Sequence, residues 1–173
     1  EIMFNDGMIY RGEKLVNYCP KHRTAFADIE VEQIEESGFL YDIKYSDKIT
    51  VSTTRPETLF GDTAVAVNPE DERDKSLIGS LIKLPLSGRE IPIIADEHAD
   101  MEYGTGAVKI TPAHDQNDYE VGERHNLDMI TVIGFDGKMN ENAGKYQGMT
   151  TAECRKAILK DLEDLGLRRG EEE

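Results

Sequence analysis

The feature that most constrains the fold is a series of short runs, rich in β-branched and apolar residues, across the first two-thirds of the chain. Glycine, proline, asparagine and aspartate separate these runs, a pattern typical of strands joined by turns. Two of the separators, 84–90 and 135–138, indicate hairpin connections. The predicted strands cover 14–18, 39–45, 49–54, 63–67, 80–84, 90–94, 107–111 and 129–133.

Helices are predicted at 70–78, at 115–125 with Asp115 as N-cap, and after Thr150. The last is the clearest, because Thr150 and Glu153 match a capping box. Together the elements predict a mixed, β-rich α/β fold, a curled sheet or barrel with helices on its outside, and leave the strand order open. The apolar stripe predicted for the last helix consists of Ala157, Ile158, Leu162 and Leu165.

The length of 173 residues fits one domain with a sizeable core. Hydrophobic residues make up 38% of the chain and never form the long apolar run that a membrane span requires. The N-terminal stretch lacks the basic and apolar regions of a signal peptide. Only Cys19 and Cys154 are cysteines, so no disulfide framework is predicted and a reducing cytoplasm is expected.

The net charge of −15 argues against strong RNA binding by this chain alone, because phosphate contacts supply most of the affinity for nucleic acids. If RNA is the substrate, another part of a larger protein is expected to hold most of it. The chain begins at Glu1 rather than at a methionine and ends in a charged segment, 168–173. We therefore expect both ends to be cut from something longer. An ordinary acidic soluble protein is the alternative.

The first segment that requires a chemical explanation is 53–58, which follows a predicted strand. It gathers three hydroxyls, a guanidinium and a carboxylate at a strand end, where functional sites are often built. Threonine hydroxyls both donate and accept, so they can hold a water molecule and a carbonyl oxygen. The structural alternative is that threonine favours strands and Pro-Glu often opens a helix. The residues are Thr53, Thr54, Arg55, Pro56, Glu57 and Thr58.

The second segment, 104–118, combines glycines that permit close backbone approach with polar residues at a strand-to-helix junction. Lys109 and Thr111 alternate along the predicted strand, so both point to one face. Asp115 and Asp118 lie three residues apart at the start of the following helix. The structural alternative is a well-capped helix whose aspartates complement its dipole.

Other chemistries are poorly supported. Cys19 and His22 form one C-x-x-H pair with no second pair at zinc spacing, so no metal site is predicted. His114 is expected to be an ordinary core or surface histidine. The chain has no G-x-S-x-G, no P-loop and no dinucleotide fingerprint, so ATP and NAD have no recognisable site in it. No cofactor is therefore predicted for this domain.

The segment 53–67 resembles the threonine-rich motif of class I aminoacyl-tRNA synthetase editing domains, and 104–118 resembles their second editing motif. The form is similar to that of the valine enzymes. The leucine enzymes typically carry Asp in place of Glu57, and the isoleucine enzymes carry Trp there and Thr in place of Arg55. The segment 140–148 is also similar to valine-enzyme sequence.

The resemblance covers 15–167, nearly the whole chain. One departure is 18–20, which reads Tyr-Cys-Pro where many valine enzymes carry Trp-Asp-Pro, and it lies outside both motifs. By this resemblance the chain is identified as a member of the editing (CP1) domains of valine–tRNA ligases. It is then expected to be a single domain, 1–173, inserted in a catalytic domain to which the edges 1–14 and 168–173 connect.

The resemblance implies a division of labour between this domain and the remainder of the synthetase. The remainder would bind ATP with Mg, valine and the tRNA body. This domain would receive the 3′ end of tRNA(Val) carrying threonine and hydrolyse its ester. Such a step is needed because a hydrophobic pocket cannot strongly reject a methyl-to-hydroxyl exchange, a limit of which the valine enzyme is itself a known example. The alternatives are a leucine or isoleucine editing domain and a non-catalytic tRNA 3′-end-binding module.

The resemblance also implies roles for individual residues. Asp118 resembles the carboxylate that pairs with the substrate's α-ammonium group, and Lys109 and Thr111 suit the reading of the substrate hydroxyl. Tyr103 resembles an aromatic residue at the pocket, and Arg55 is expected to contact the terminal adenosine or to stabilise the motif. The expected catalytic residues are Thr53, Thr54, Asp115 and Asp118. The expected substrate-binding residues are Arg55, Glu57, Tyr103, Lys109, Thr111 and Asp118.

Overall fold

The structure, a computed structural model, describes residues 2–10, 14–32, 34 and 37–172. Parts of the two predicted connecting edges, 1–14 and 168–173, fall outside these residues. The helices are α1 (Ile2–Asn5), α2 (Gln116–His125) and α3 (Thr151–Asp164). The strands are β1 (Asn17–Cys19), β2 (Thr24–Phe26), β3 (Leu40–Lys44), β4 (Thr50–Thr53), β5 (Ala64–Val67), β6 (Leu81–Lys83), β7 (Glu90–Ala95), β8 (Ala107–Ile110) and β9 (Arg168–Glu172).

The strands form three separate sheets. A two-stranded sheet has the order β1-β2, a three-stranded sheet the order β4-β3-β9, and a four-stranded sheet the order β6-β7-β5-β8. Only β5 and β7 are parallel among these pairs. The predicted mixed α/β fold with peripheral helices is confirmed. A closed barrel is not formed by the described residues, because β4 and β8 pack close together without pairing.

The main core lies between α3 and the three- and four-stranded sheets, and among the described residues the sheet β1-β2 contributes no side chain to it. In α3 the predicted residues Ile158 and Leu162 are fully buried, and Leu159 joins them. Leu165 was predicted to continue this stripe, but it is 61% exposed because the helix ends at Asp164. The largest apolar side chains of the core include Ile43, Val51, Leu59, Val65, Leu84, Ile91, Ile93 and Tyr146.

The two longer helices begin where the sequence predicts. Asp115 caps α2 by accepting from the backbone N–H groups of Asn117 and Asp118. Thr150 and Glu153 form the capping box of α3, each satisfying the other's backbone N–H. The hairpin predicted at 84–90 joins the antiparallel pair β6 and β7.

Some predicted elements are wrong, because side chains bond to backbone N–H groups that the predicted helix or strand would use. In place of a helix at 70–78 there is only a short 3-10 turn, Lys75–Leu77, since Asp71 instead holds the backbone N–H and side chain of Arg73. The predicted strand 129–133 contributes only an isolated bridge, because its Val132 N–H bonds to a histidine ring. The strands β2 and β9 were not predicted.

Candidate functional site

The two sequence motifs meet in one pocket, a cavity of about 200 Å³. The end of β4 and the turn after it form one side, and β8 and the start of α2 form the other. Every residue predicted for the site lines this cavity except Glu57. The lining comprises Leu40, Ser52, Thr53, Thr54, Arg55, Thr58, His98, Tyr103, Val108, Lys109, Thr111, His114, Asp115, Asn117 and Asp118.

The cavity has a floor of buried residues and a rim of exposed ones. Thr53, Lys109, Thr111 and Asp118 are each no more than 7% exposed. The rim consists of residues that solvent reaches freely: Thr54, Arg55, Tyr103 and Asp115. A small polar group can therefore be enclosed at the floor while a larger attached group stays at the rim.

The threonine-rich motif is shaped by its own hydrogen bonds where β4 ends. The Thr53 hydroxyl accepts from the Arg55 backbone N–H at 3.0 Å, and the Thr58 hydroxyl donates to the Arg55 carbonyl at 3.0 Å. Pro56 then begins a 3-10 turn, since its fixed φ suits a first helical position. The Arg55 side chain donates to the His114 carbonyl at 2.8 Å and so ties the two motifs together.

Glu57 has a different environment from the rest of its motif. It is 2% exposed, and Arg155 of α3 binds both its carboxylate oxygens at 2.9 and 2.8 Å. A bidentate pair of this kind fixes geometry strongly. Glu57 therefore anchors the threonine-rich motif to α3, and this geometry favours a structural role over the predicted contact with substrate.

A buried polar network surrounds Lys109 at the floor. The Lys109 ammonium donates to the hydroxyls of Thr58 at 2.8 Å and Thr111 at 2.5 Å, and to Asp62 at 2.9 Å. The Thr111 hydroxyl in turn donates to the same Asp62 oxygen at 2.7 Å. Tyr45 donates to the other Asp62 oxygen at 2.5 Å. All three donors of Lys109 are thus occupied within the protein.

Asp62 is the member of this network that the sequence interpretation did not assign. It is fully buried, and its carboxylate compensates the Lys109 charge. Burial, with the Asp62 carboxylate, raises the pKa of Tyr45 well above its ordinary value, so this phenol stays a donor. The available signal was the position of Asp62 inside the stretch 53–67, four positions after Thr58.

Asp118 lies at the junction of β8 and α2, and its two carboxylate oxygens have different partners. Its Oδ2 accepts from the Thr111 backbone N–H at 2.8 Å, which also explains why β8 ends at Ile110. Its Oδ1 lies 3.5 Å from Nε2 of His98. Burial raises the pKa of Asp118 to about 6, although the Thr111 N–H and the Lys109 ammonium oppose the shift.

His98 is a second lining residue that the sequence interpretation missed. It comes from the loop after β7, outside both motifs, so neither motif marked it. The backbone N–H of His98 donates to Asp96 at 2.9 Å. Arg124 and His125 of α2 bind the same Asp96 carboxylate, and this fixes the loop against the helix.

His114 is confirmed as a structural histidine despite lining the cavity. Its Nε2 accepts from the Val132 backbone N–H at 2.8 Å. Burial, followed by the charges of Arg55 and Lys109, lowers the pKa of His114 to about 4. The ring is therefore neutral near pH 7 and holds the 129–133 segment against the pocket.

The loop carrying Tyr103 is docked tightly on β4. The Thr105 backbone N–H donates to the Ser52 hydroxyl at 2.9 Å. Gly104 has a φ of +54°, and a Cβ there would come within 2.5 Å of the Ser52 hydroxyl oxygen. Only glycine permits this approach without strain, and the result is that Tyr103, 54% exposed, stands at the mouth of the cavity.

Cys19 and His22, the pair considered for zinc, lie 3.4 Å apart from Sγ to Nδ1. Over residues 2–10, 14–32, 34 and 37–172, no three His, Cys, Asp or Glu side chains are grouped so that they could hold a metal ion. No helix within these ranges is long and apolar enough to cross a membrane.

Comparison with known proteins identifies the class to which this fold and pocket belong. A family model described as "Leucyl-tRNA synthetase, editing domain" matches residues 70–164, more than half of the chain. The chain belongs to this family of synthetase editing domains. The matched stretch contains Lys109, Thr111, Asp115 and Asp118, whereas the threonine-rich motif precedes it.

Individual relatives narrow the resemblance to valine–tRNA ligases. The chain is 57% identical over 171 residues to the valine–tRNA ligase of Dechloromonas aromatica (strain RCB), covering 95% of this chain and 18% of that protein. It is 58% identical over 170 residues to that of Geobacillus kaustophilus (strain HTA426), covering 95% and 19%. The chain thus spans about a fifth of the length of the curated relatives it matches.

A solved structure supports the fold. The chain is similar to a leucyl-tRNA synthetase from Agrobacterium radiobacter K84, agnB2 LeuRS, in a ternary complex with tRNA and LeuAMS. The TM-score is 0.57 at 21% identity, over 78% of this chain and 20% of that one. The predicted editing-domain fold is confirmed by this likeness and by the family match.

Proposed function

We propose that this domain, as part of a valine–tRNA ligase, hydrolyses the ester that links threonine wrongly to the 3′ end of tRNA(Val). The observation that carries the proposal is the juxtaposition of two features at the cavity floor. One is the buried hydroxyl network around Lys109, and the other is the carboxylate of Asp118, held at Oδ2 by a hydrogen bond and without a short hydrogen bond at Oδ1.

The α-ammonium group of an aminoacyl ester requires a fixed anion, and Asp118 is positioned to supply it. The Thr111 N–H orients the carboxylate through Oδ2, and Oδ1 faces His98, another lining residue, at 3.5 Å without a short hydrogen bond. A charge-assisted hydrogen bond there is the strongest single contact the site offers. Binding of an ammonium group would also favour the ionised form of a carboxyl whose pKa burial has raised to about 6.

The floor is suited to a substrate hydroxyl rather than a methyl group. The Thr111 and Thr58 hydroxyls each accept from Lys109 and each donate elsewhere, so each keeps one acceptor lone pair. Threonine can donate its hydroxyl to such a lone pair. Valine would cover it with a methyl group, and a buried acceptor left without a partner costs about 1–3 kcal/mol.

The rim is suited to the nucleotide part of the substrate. Arg55 and Tyr103 offer a guanidinium and an aromatic ring at the mouth of the cavity. Thr54 and Asp115 stand beside them, where they can position water and the ester carbonyl. Hydrolysis of an activated ester needs positioning and carbonyl polarisation more than a covalent nucleophile.

In the parent enzyme, the other domains would carry out substrate binding and aminoacylation. The remainder would bind ATP with Mg, valine and the tRNA body, in a reducing cytoplasm that suits the two free cysteines. The charge of −15 makes the domain a weak RNA binder by itself, so the tRNA partner would be held mainly by that remainder.

Valine is preferred to leucine as the parent's amino acid on two grounds. The relatives at 55–58% identity are named valine–tRNA ligases, and Arg55 and Glu57 match the form of the threonine-rich motif expected for valine enzymes. The family model's leucine name describes the shared domain type. A non-catalytic module is disfavoured because the polar floor is intact and pre-assembled.

The test is deacylation by the full-length protein that carries this chain. We expect threonyl-tRNA(Val) to be hydrolysed much faster than valyl-tRNA(Val), because only threonine satisfies the floor. Leucyl- and isoleucyl-tRNA provide the comparison with other synthetases. Equal rates on the threonyl and valyl esters would contradict the reading of the hydroxyl, and no hydrolysis of any ester would indicate a binding module.

A further inference from the structure

The hydrolytic water needs a proton acceptor, and the lining of the cavity offers few groups free to serve. Asp115 Oδ1 already accepts from two backbone N–H groups as the cap of α2. Asp118 Oδ2 accepts from the Thr111 N–H. Lys109 is a donor with all its hydrogens engaged. An imidazole is the side chain best suited to accept a proton near neutral pH.

The two histidines of the cavity differ in whether a ring nitrogen is free to accept a proton. The Nε2 lone pair of His114 is occupied by the Val132 N–H, and burial lowers the pKa of this ring to about 4. His98 is partly exposed, with 28% of its side chain reached by solvent. In the part of the chain that the structure describes, the Asp118 carboxylate is the one ion-pair or hydrogen-bond partner of its ring.

The position of Asp118 determines which nitrogen of His98 is free. A carboxylate only accepts hydrogen bonds, so the Nε2 that faces it carries the proton of a neutral imidazole. The lone pair is then on Nδ1, the other nitrogen of the ring. The Nε2–Oδ1 separation of 3.5 Å is long for a hydrogen bond, and such contacts often tighten only when substrate binds.

The backbone of the His98 loop is held in place independently of the ring. Asp96 is buried, and its carboxylate accepts from the His98 N–H, Arg124 and His125. Burial opposes ionisation, yet the hydrogen bonds from Arg124, the His98 N–H and His125 lower the pKa of Asp96 to about 2. The Asp96 carboxylate is therefore charged at neutral pH. Replacing the imidazole of His98 leaves the hydrogen bonds of Asp96 with the His98 N–H, Arg124 and His125 intact.

We propose that His98 is the general base of the editing reaction, oriented by Asp118. As the water oxygen bonds to the ester carbonyl carbon, Nδ1 of His98 takes a proton from that water. When the bond between the carbonyl carbon and the ribose oxygen breaks, the imidazolium returns the proton to the ribose oxygen. The products are the free amino acid and tRNA with its terminal hydroxyl restored. This inference rests on the proposed function.

The experiment compares His98→Ala with wild type in the full-length protein, using threonyl-tRNA(Val) as substrate. General-base catalysis contributes roughly 10²–10⁴-fold, so kcat should fall at least about 100-fold while KM stays close to that of wild type. Added imidazole should restore part of the rate by entering the space left by the ring. The restored rate should rise with the basicity of a series of substituted imidazoles.

Two further variants serve as controls. His98→Gln fills the space without supplying a base, so it should be slow and should gain nothing from imidazole. His22→Ala removes an exposed histidine that contacts Cys19 outside the cavity, and it should hydrolyse the ester at the wild-type rate. A pH profile alone would not separate the groups, since the pKa of Asp118, raised by burial, is about 6.

The outcomes separate this proposal from the proposed function. If wild type is active and His98→Ala is equally active, or slow but unresponsive to every imidazole, His98 is not the base and the proposed function stands. If wild type itself does not hydrolyse threonyl-tRNA(Val), both proposals are overturned. A slow variant rescued in proportion to imidazole basicity supports both.

Discussion

Two walls of the same cavity differ in how far their polar groups are satisfied within the protein. On the Lys109 wall, the ammonium, Asp62 and two threonine hydroxyls bond to one another and are almost inaccessible to solvent. On the Asp118 wall, one carboxylate oxygen and the ring of His98 face each other at 3.5 Å without a short hydrogen bond. One wall is complete before substrate arrives, and the other is not.

This contrast indicates that recognition and reaction depend on different walls of the cavity. A buried hydrogen-bond network in which every group has a partner is rigid, so it can discriminate a hydroxyl from a methyl group by fixed geometry. Groups that are only partly satisfied are free to bind an ammonium group or accept a proton. The Lys109 wall is thus expected to govern stability and discrimination, and the Asp118 wall is expected to govern rate.

The largest expected effect is on stability, from breaking the Lys109 wall. Lys109→Met would leave the fully buried Asp62 without its counter-charge. Removing one partner of a buried ion pair typically costs about 3–5 kcal/mol, so the free energy of unfolding should fall by that amount. Urea denaturation at pH 7 measures it.

A matched control is Lys75→Met, which breaks a surface ion pair with Glu72 at 3.0 Å. Exposed pairs contribute only about 0–1 kcal/mol, so this variant should unfold near the wild-type midpoint. Equal losses for the two lysine variants would show that the Lys109 wall is not a preassembled unit.

The next effect is on rate, from the Asp118 wall. Asp118→Asn keeps the size of the side chain and the acceptor for the Thr111 N–H while removing the charge. Loss of the ammonium anchor should cost roughly 3 kcal/mol in the transition state, at least about a 100-fold loss of kcat/KM for threonyl-tRNA(Val). The exposed Asp128→Asn is the control and should retain full activity.

The same substitution separates the anchor from a helix-capping role through stability. Because burial raises the folded-state pKa of Asp118 to about 6 from 3.8, its favourable contribution is present below about pH 4 and is lost as pH rises through 6. Two pKa units correspond to about 2–3 kcal/mol, so Asp118→Asn should gain up to that much stability at pH 7 and little at pH 4. A loss of about 0.3–1 kcal/mol at pH 7 would instead indicate a dipole interaction.

The smallest expected effect is on the discrimination between threonyl and valyl esters, and it follows from replacing Thr111. Thr111→Val keeps the shape of the side chain but removes the hydroxyl that links Lys109 to Asp62. The preference for threonyl over valyl ester should fall by about 1–2 kcal/mol, with a stability loss of similar size. Paired deacylation rates on the two esters measure it. An unchanged ratio accompanied by lower stability would confine Thr111 to a supporting role in the network.

The sequence predicted those parts of the site whose geometry is local. The alternation of Lys109 and Thr111 placed them on one face of β8, and Asp115 is the cap it was predicted to be. Both helices with clear capping signals are present at the predicted places. These features depend on neighbours a few residues apart, whose interactions follow directly from backbone periodicity.

The pairing of groups that are distant in sequence could not be predicted and depends on how the chain packs. Glu57 bonds to Arg155, 98 positions later, rather than facing the cavity. Asp62 joined the site although the motif stretch 53–67 gave no reason to assign it a role, and His98 joined it from a loop outside both motifs. The sheets stayed open because β4 and β8 do not pair. Motifs and periodicity determine which residues share a face of a strand or helix. Packing determines which residues contact that face. A buried polar group needs a hydrogen-bond partner, and the fold determines which one lies within reach.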